Sequence, residues 1–256
     1  MSDAYYRRID GGFAPTQMVA GPWSADASHA GPPAAILLQE LARTADPMLF
    51  TRATFEIPGP IPIVPYRVEI ETVRPGRRIQ MLRASLLLMD TGDPVMTATE
   101  WALRVKEGLP SHIPFTNSVP PPDECDLFEY SIPHESYMDG VEMRRIEGTP
   151  FGGGGAAIWI RQTKPLIDGE EADPYTLCGM FGDLGNGISA IAPLTEIAPI
   201  NTEITLYLVR RPQFPWIAME SLTISHGLGL GMTDSLVYDG WGFVGRANQS
   251  IFIDRR

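Results

Sequence analysis

The fold follows from the stretch that runs from His29 to Thr44, HAGPPAAILLQELART. Its apolar residues are too dense for a helix with only one buried face, so they indicate a helix that is buried over most of its surface. Pro32 and Pro33 suit its first turn, because the first N–H groups of a helix have no partner within the helix. The stretch therefore predicts a largely buried helix near the start of a globular domain.

Four strand-like runs follow this helix, each rich in Thr, Val, Ile and Leu. They are Arg52–Pro58, Tyr66–Val73, Gln80–Met89 and Val95–Val105. The sequence Asp-Thr-Gly-Asp-Pro at 90–94 separates the last two runs and is typical of a hairpin turn. The first half of the chain thus predicts one helix followed by several antiparallel strands.

The segment between Lys106 and Gly140 has a different composition. Prolines crowd positions 110 to 133 and include three in a row at 120–122, while the periodic apolar pattern fades. A compact domain rarely contains so long a loop, so a domain boundary is the simpler explanation. We therefore predict an N-terminal domain over residues 1–108, a proline-rich linker over 109–140 and a C-terminal domain over 141–256.

The second half repeats the plan of the first. Tyr175–Ala192 stands where a helix is expected, and Asn201–Arg211 is the next strand-like run. Placing Glu71 against Glu220 aligns the run that ends at Trp101 with the run that ends at Gln249. Identity between the halves is sparse, so the repeat depends on the order and spacing of elements.

A helix followed by antiparallel strands, twice, predicts an α+β protein in which each sheet wraps around one apolar helix. This arrangement is the hotdog fold, and two fused copies form a double hotdog. Each sheet alone would expose a strand edge, and joining the two sheets edge to edge would remove that edge. We expect two fused hotdog domains.

Composition excludes some classes of function. The chain carries 31 acidic and 20 basic residues, a formal net charge of −11, and 44% of its residues are hydrophobic. A globular protein is therefore expected, and a nucleic-acid partner is not, because the overall field would oppose phosphate binding.

The cysteines and the apolar pattern address location. Cys125 and Cys178 lack metal-ligand spacing, so we expect a reduced compartment, no metal and no cofactor. Met1–Asp10 has no apolar centre, and no uncharged apolar run approaches the ~18 residues that cross a bilayer. We predict a cytoplasmic protein without a membrane span.

Two polar residues stand in apolar surroundings and are candidates for chemistry. Asp183 lies in the apolar and glycine-rich stretch Met180–Gly187, and Gln249 lies in the apolar final strand. A helix cap or turn explains Asp183 equally well, and a solvent-facing position explains Gln249. Ser221, Thr223 and Ser225 alternate along another strand, where hydroxyls are more often ordinary surface groups.

The chain resembles acyl-CoA thioesterase II and related thioesterase-like double-hotdog proteins over nearly its whole length. The matching features are the His-Ala-Gly-Pro-Pro start of the first helix at 29–33, Asp183 in the second helix, Arg211-Pro212 at the end of the next strand, the Trp216–Ser221 strand and Gln249 in the final strand. The resemblance implies hydrolysis of an acyl-CoA substrate to free fatty acid and CoA.

In that family an Asp, a Thr or Ser, and a Gln together hold and polarise the water that attacks the thioester. The resemblance carries these roles to Asp183 and Gln249, whereas the hydroxyl position aligns at or beside Leu222, which leaves Thr223 as first choice and Ser225 as second. The start of the first helix, at His29, Ala30 and Gly31, is the expected oxyanion and substrate site.

Other functions fit less well. A hotdog hydratase needs a histidine five residues after the aspartate, and that position is Ile188. A serine hydrolase elbow, Gly-x-Ser-x-Gly, does not occur. A degenerate double hotdog that binds acyl-CoA or another apolar ligand without hydrolysing it stays open, as does assembly into a homo-oligomer.

Overall fold

A computed structural model describes residues 3–115, 119–171, 173–213 and 215–256. The helices are α1 (Gly31–Ala45), α2 (Pro174–Gly182) and α3 (Gly185–Ile188). The strands are β1 (Tyr6–Ile9), β2 (Gly12–Pro15), β3 (Ala20–Gly21), β4 (Ser24–Ser28), β5 (Leu49–Glu56), β6 (Ile61–Pro62), β7 (Tyr66–Arg74), β8 (Ile79–Leu88), β9 (Pro94–Leu103), β10 (Asp126–Phe128), β11 (Val141–Gly148), β12 (Ala156–Gln162), β13 (Ile197–Leu208), β14 (Trp216–Ser225), β15 (Leu230–Asp239) and β16 (Gly242–Arg255).

The predicted first helix is confirmed as α1, which begins two residues later than expected. Pro32 and Pro33 occupy its first turn, and nearly all of its apolar side chains are buried. The helix ends at Ala45, where Asp46 precedes Pro47 and proline disfavours helical geometry in the residue before it. In α1, apolar density and proline position thus determine the element.

The predicted second helix is shorter than expected, since Tyr175–Ala192 divides into α2 and α3 with Asp183 and Leu184 between them. Glycine is a poor helix former, and three glycines lie at 182, 185 and 187. Gly185 also lets α3 approach the sheet closely, because a β-carbon there would lie 2.7 Å from Ser235 Oγ and 2.9 Å from Gln249 Oε1.

Thirteen strands form one sheet in the order β1-β2-β7-β8-β9-β5-β13-β16-β15-β14-β12-β11-β10. All the ladders are antiparallel, and a small separate sheet joins β3, β4 and β6. The order is mirrored about the β5–β13 pair, with β7-β8-β9-β5 on one side and β13-β16-β15-β14 on the other. The large sheet is therefore continuous across both halves of the chain.

A pair of bulges also repeats about this centre. β5 bulges between Phe50 and Arg52 where it pairs with β9, and β13 bulges between Asn201 and Glu203 where it pairs with β16. The bulges fix which residues of the two halves correspond, independently of sequence identity.

One hydrophobic core joins both halves. It includes Leu37 and Phe181 on the helices and Phe55 and Ile204 on the two central strands, which are cross-strand neighbours. α1 packs against α2 as well as against the strands of the first half. The helices therefore share one face of the sheet, and the catalytic candidates lie on the same side.

The segment 109–140 contains β10, which extends the sheet beside β11, and it packs onto the second half through the Trp159 Nε1–H bond to the Pro120 carbonyl at 2.7 Å. Residues 116–118 of this segment lie outside the described residues. The boundaries 1–108, 109–140 and 141–256 stay a prediction. Among the described residues no helix is long and apolar enough to span a membrane, and Cys125 and Cys178 are buried and free.

Candidate active site

The start of α1 meets the end of α2, and this crossing builds the site. Gly31 lies so close to α2 that a β-carbon there would overlap the Met180 carbonyl oxygen. Asp183 caps the C-terminus of α2, and His29 precedes the N-cap residue of α1, Ala30. Two segments far apart in the chain thus place a carboxylate beside an imidazole.

The carboxylate of Asp183 is 3% exposed and is surrounded by donors. Its Oδ2 atom accepts a hydrogen bond from Ala30 N at 3.0 Å and lies 2.9 Å from His29 Nδ1. Its Oδ1 atom accepts a hydrogen bond from the side-chain amide of Asn201. These partners offset the cost of burying the carboxylate.

Gln249 holds the other side of the site. Its Nε2 donates to the Asp183 carbonyl at 3.1 Å and lies 3.5 Å from Asp183 Oδ1, while its Oε1 accepts from Asn186 N at 2.9 Å. The side chain of Asn186 in turn donates to Asn201 Oδ1. The amide side chains of Asn201 and Gln249 therefore contact the carboxylate, and Asn186 hydrogen-bonds both of them.

His29 contacts two aromatic rings. The ring of Tyr137 stacks on it with 4.3 Å between centroids and 17° between planes, and the Tyr137 hydroxyl donates to the Met180 carbonyl at 2.9 Å. Trp23, in the turn between β3 and β4, makes the second ring contact, with 5.4 Å between its centroid and that of His29. It is 53% exposed. The imidazole orientation is thus set by packing, and Trp23 is the part of this wall that reaches solvent.

The hydroxyl candidates lie elsewhere. Thr223 Oγ1 is 2.7 Å from both Ser189 Oγ and Thr233 Oγ1, and Ser225 Oγ donates to the Leu230 carbonyl at 2.9 Å near the end of its hairpin. Thr233 is the cross-strand neighbour of Gln249, so Thr223 sits one strand further away. The structure therefore brings Asp183 and Gln249 together but does not bring Thr223 or Ser225 to the carboxylate.

The predicted oxyanion donors are present but already engaged. Ala30 N donates to Asp183, and Gly31 N donates to His29 Nδ1 at 3.1 Å. His29, Ala30 and Gly31 therefore adjoin the carboxylate, while their N–H groups face protein acceptors and not an open position.

Asn201 and Asn186 were not among the predicted site residues. Asn201 begins a strand-like run and Asn186 lies in a glycine-rich stretch, so both look like turn residues in sequence. The bulge at Asn201 fixes the local pairing of β13 with β16. A bulge has no reliable sequence signal, so the sequence could not identify Asn201. Asn186 lies only three residues after Asp183, and this short spacing is the one signal that could have identified it.

The geometry suits general base chemistry. A carboxylate with an adjacent imidazole and several amide donors can orient a water molecule and accept its proton. The site is closed, because Asp183, Gln249 and His29 are 3%, 2% and 4% exposed. No group of three or more metal-ligating side chains occurs among the residues that the structure describes.

Comparisons with known proteins agree with this fold. Residues 19–103 match the family described as the acyl-CoA thioesterase N-terminal domain. No curated protein sequence matches the chain.

Several solved structures share the architecture at low sequence identity. A protein of Novosphingobium aromaticivorans, provisionally named a thioesterase, has a TM-score of 0.74 and 20% identity over 97% of this chain and 98% of its own. An Alicyclobacillus acidocaldarius protein of unknown function with a hot dog fold has a TM-score of 0.74 and 19% identity over 98% of this chain and 97% of its own. An acyl-CoA thioesterase II of Mycobacterium marinum has a TM-score of 0.66 and 17% identity over 88% of this chain and 89% of its own.

At these identities the structural likeness shows the fold, and the fold is of the hotdog type. The match of residues 19–103 assigns that part of the chain to the family described as the acyl-CoA thioesterase N-terminal domain.

Proposed function

We propose that this protein is an acyl-CoA thioesterase that hydrolyses acyl-CoA to a free fatty acid and CoA. The observation that carries the proposal is the buried carboxylate of Asp183, which Gln249 on β16, Asn201 on β13 and His29 just before α1 contact. The match of the first domain to acyl-CoA thioesterases supports a thioester substrate.

We also propose that the chain is a double hotdog with domains 1–108 and 141–256 joined by a linker at 109–140. The mirrored strand order about β5 and β13 supports two fused units. Pairing of these two central strands edge to edge fits the expectation that fusion removes an exposed edge.

In the proposed reaction, Asp183 accepts a proton from water while the water oxygen attacks the thioester carbonyl carbon. The resulting tetrahedral intermediate collapses, the carbon–sulfur bond breaks, and the proton passes from Asp183 to the departing CoA thiolate. A thioester is activated enough for this route to need no covalent enzyme intermediate. The Ala30 N–H group orients the carboxylate through its hydrogen bond to Oδ2, and His29 Nδ1 lies 2.9 Å from the same oxygen.

Gln249 and Asn201 would orient the water. Each presents an amide to Asp183 Oδ1, the oxygen that His29 does not contact. We favour Asn201 over Thr223 and Ser225 as the third polar group, because only Asn201 among the three hydrogen-bonds the carboxylate.

The oxyanion would bind at the N-terminus of α1, where the helix dipole favours negative charge. Ala30 N and Gly31 N must exchange their present acceptors for the thioester oxygen. Substrate binding therefore has to rearrange the contacts between the start of α1 and Asp183, and exposed Trp23 marks the side on which we place the entrance.

A second candidate function is acyl-CoA binding without hydrolysis. The closed site favours it, because both carboxylate oxygens of Asp183 already have protein partners. A true binder would use the same site and would leave the thioester intact.

One experiment separates the two functions. Purified protein is mixed with short, medium, long and aromatic acyl-CoAs and a thiol reagent that reports free CoA. The thioesterase proposal predicts CoA release with at least one class of acyl chain. Saturable binding by calorimetry with no release for any chain would establish the binder instead.

A further inference from the structure

A buried acid without a partner lies in the other half of the molecule. Glu100 on β9 is 0% exposed, and neither carboxyl oxygen has a hydrogen-bond partner among the described residues. Burial raises the pKa of Glu100 to about 8, so the side chain is mainly a neutral carboxylic acid at pH 7. Buried polar atoms are nearly always hydrogen-bonded, so this group calls for a ligand or a structural reason.

The position of Glu100 corresponds to that of Gln249. Phe50 at the first bulge pairs with Ala102, and Asn201 at the second bulge pairs with Ile251. Glu100 precedes Ala102 by two residues, as Gln249 precedes Ile251. The sheet register thus makes Glu100 the counterpart of Gln249. The sequence alignment of the two halves predicts Trp101, the next residue, at this position.

A second unpartnered polar group lies nearby. Tyr175 in the first turn of α2 packs its ring on Phe50 at 4.3 Å between centroids, and its buried hydroxyl also has no partner in the described parts of the chain. Phe50 pairs with Ala102, which lies on the same face of β9 as Glu100. Burial raises the pKa of Tyr175, Arg211 partly lowers it, and Asp173 and then Glu100 raise it further.

Solvent comes close to this pair from one side. The Arg211 guanidinium lies 5.2 Å from the centre of the Tyr175 ring. Beyond it is an open cleft of about 360 Å³ at the N-terminus of α2. The cleft is lined by Gln39, Arg43, Glu171, Asp173, Pro174 and Arg211. Arg211 both lines this cleft and packs on the ring of Tyr175, so the cleft adjoins the Tyr175 side of the pair.

We propose that Glu100 and Tyr175 form a second ligand site, separate from the Asp183 site, for a small neutral molecule that carries a carbonyl group. Both side chains offer O–H donors, and two such donors can share one carbonyl oxygen. The neighbours of Glu100 across the sheet are Ala53 and Leu82, so the surroundings disfavour a charged ligand.

This second site binds but does not hydrolyse. Phe50 stands where the first site has Asn201, and Leu82 stands where it has Thr233, the cross-strand neighbour of Gln249. The two positions that correspond to Asn201 and Thr233 therefore carry apolar side chains, which cannot orient a water. The proposal is independent of thioesterase activity.

Calorimetric titration with 2-octanone, a neutral methyl ketone, tests the site. We expect saturable binding to the wild type, and about 10-fold weaker binding to Glu100→Met and to Tyr175→Phe, because each loses one hydrogen bond to the carbonyl oxygen. Tyr66→Phe is the matched control, since it removes another buried phenol without a partner among the described residues, on β7. Binding to this variant should be unchanged.

Asp183→Asn separates the two sites. Ketone binding that persists in this variant and falls in Tyr175→Phe supports the proposal. No saturable binding to the wild type, binding that neither Glu100→Met nor Tyr175→Phe weakens, or binding lost with Asp183→Asn would overturn it. Near-ultraviolet circular dichroism checks the folding of each variant. If Glu100→Met does not fold, the result for Tyr175→Phe decides the test by itself.

Discussion

Asp183 is tolerated as a buried carboxylate because donors converge on it from separate elements. The Ala30 N–H group precedes α1, Asn201 lies on β13, and Gln249 lies on β16. Removing one member of such a set leaves a buried polar group unsatisfied, which costs about 1–3 kcal/mol. Function and stability are therefore coupled at this residue.

Asn201 tests the identity of the third polar group. In Asn201→Ala the carboxylate loses its side-chain donor on Oδ1, and we expect the rate of thioester hydrolysis to fall by about 10- to 100-fold. Ser225→Ala is the control, because the hydrogen bonds of Ser225 Oγ among the described residues stay within its own hairpin, to the Leu230 carbonyl and from Gly227 N. Steady-state CoA release measures both. Equal rates for wild type and Asn201→Ala, or a large loss in Ser225→Ala, would contradict the assignment of Asn201 as the third polar group.

Glu100 makes stability depend on pH. Its pKa is about 8 in the folded protein and ~4.3 in the unfolded chain, so the folded state binds the extra proton between these values. The free energy of unfolding should therefore fall as pH rises from about 4 to 8, by up to about 1.4 kcal/mol for each pH unit.

Urea denaturation across this pH range measures the dependence. Glu100→Gln should remove this component of the slope, and Glu129→Gln, at an exposed position, should leave it in place. An identical slope in wild type and Glu100→Gln would show that Glu100 is ionised in the folded protein.

At the scale of elements, the sequence predicts what depends on local composition. Apolar density and the paired prolines identify α1, and the hairpin residues at 90–94 identify the turn between β8 and β9. The division of α2 from α3 was not predicted, because its cause includes the close approach of Gly185 to Ser235 on a distant strand. Asn201 was missed for the same reason, since its partner lies 18 residues earlier, on another element.

α3 presses on the site through Gly185. A β-carbon there would lie 2.7 Å from Ser235 Oγ and 2.9 Å from Gln249 Oε1, so Gly185→Ala must displace α3 or Gln249. We expect a loss of about 1–3 kcal/mol in the free energy of unfolding, together with slower hydrolysis. Gly59→Ala is the control, because a β-carbon there meets nothing within 4 Å.

Denaturant unfolding and CoA release are measured on both variants. Gly185→Ala with wild-type stability and activity would mean that α3 is free to move away from the sheet.

At the scale of the whole molecule, Glu170 ties three segments together. Its carboxylate accepts hydrogen bonds from Arg8 Nε of β1 at 2.6 Å, and from Arg43 Nη2 and Gln39 Nε2 of α1 at 2.8 Å and 3.0 Å. The hydrogen bond from Arg8 and the one from Arg43 lower the pKa of Glu170 to about 2. The start of the chain is thereby fastened to the segment before α2.

Because the pKa of Glu170 is lowered on folding, its contribution is present above pH ~4.3 and is lost as pH falls towards 2. Glu170→Gln should therefore destabilise the protein at pH 7, by about 1 kcal/mol after allowing for solvent screening. The difference from wild type should disappear near pH 2. Glu171→Gln is the control, since Glu171 is exposed, and pH-dependent urea denaturation measures both. A constant difference at all pH values would contradict the assignment.

The two halves share a plan but not a chemistry. Corresponding positions hold Gln249 and Glu100, Asn201 and Phe50, and Thr233 and Leu82. The repeat was visible in the order of elements, yet this pairing of residues needed the bulges, which sequence does not display. We therefore propose that hydrolysis takes place at one site of the molecule, at Asp183.

The proposal that Asp183 is the general base is tested by the kcat/KM of Asp183→Asn with a substrate that the wild type hydrolyses. The amide keeps the size of the side chain but cannot accept a proton from water, so kcat/KM should fall by about 100- to 10,000-fold while circular dichroism stays unchanged. A folded Asp183→Asn protein that releases CoA as fast as the wild type would contradict the account.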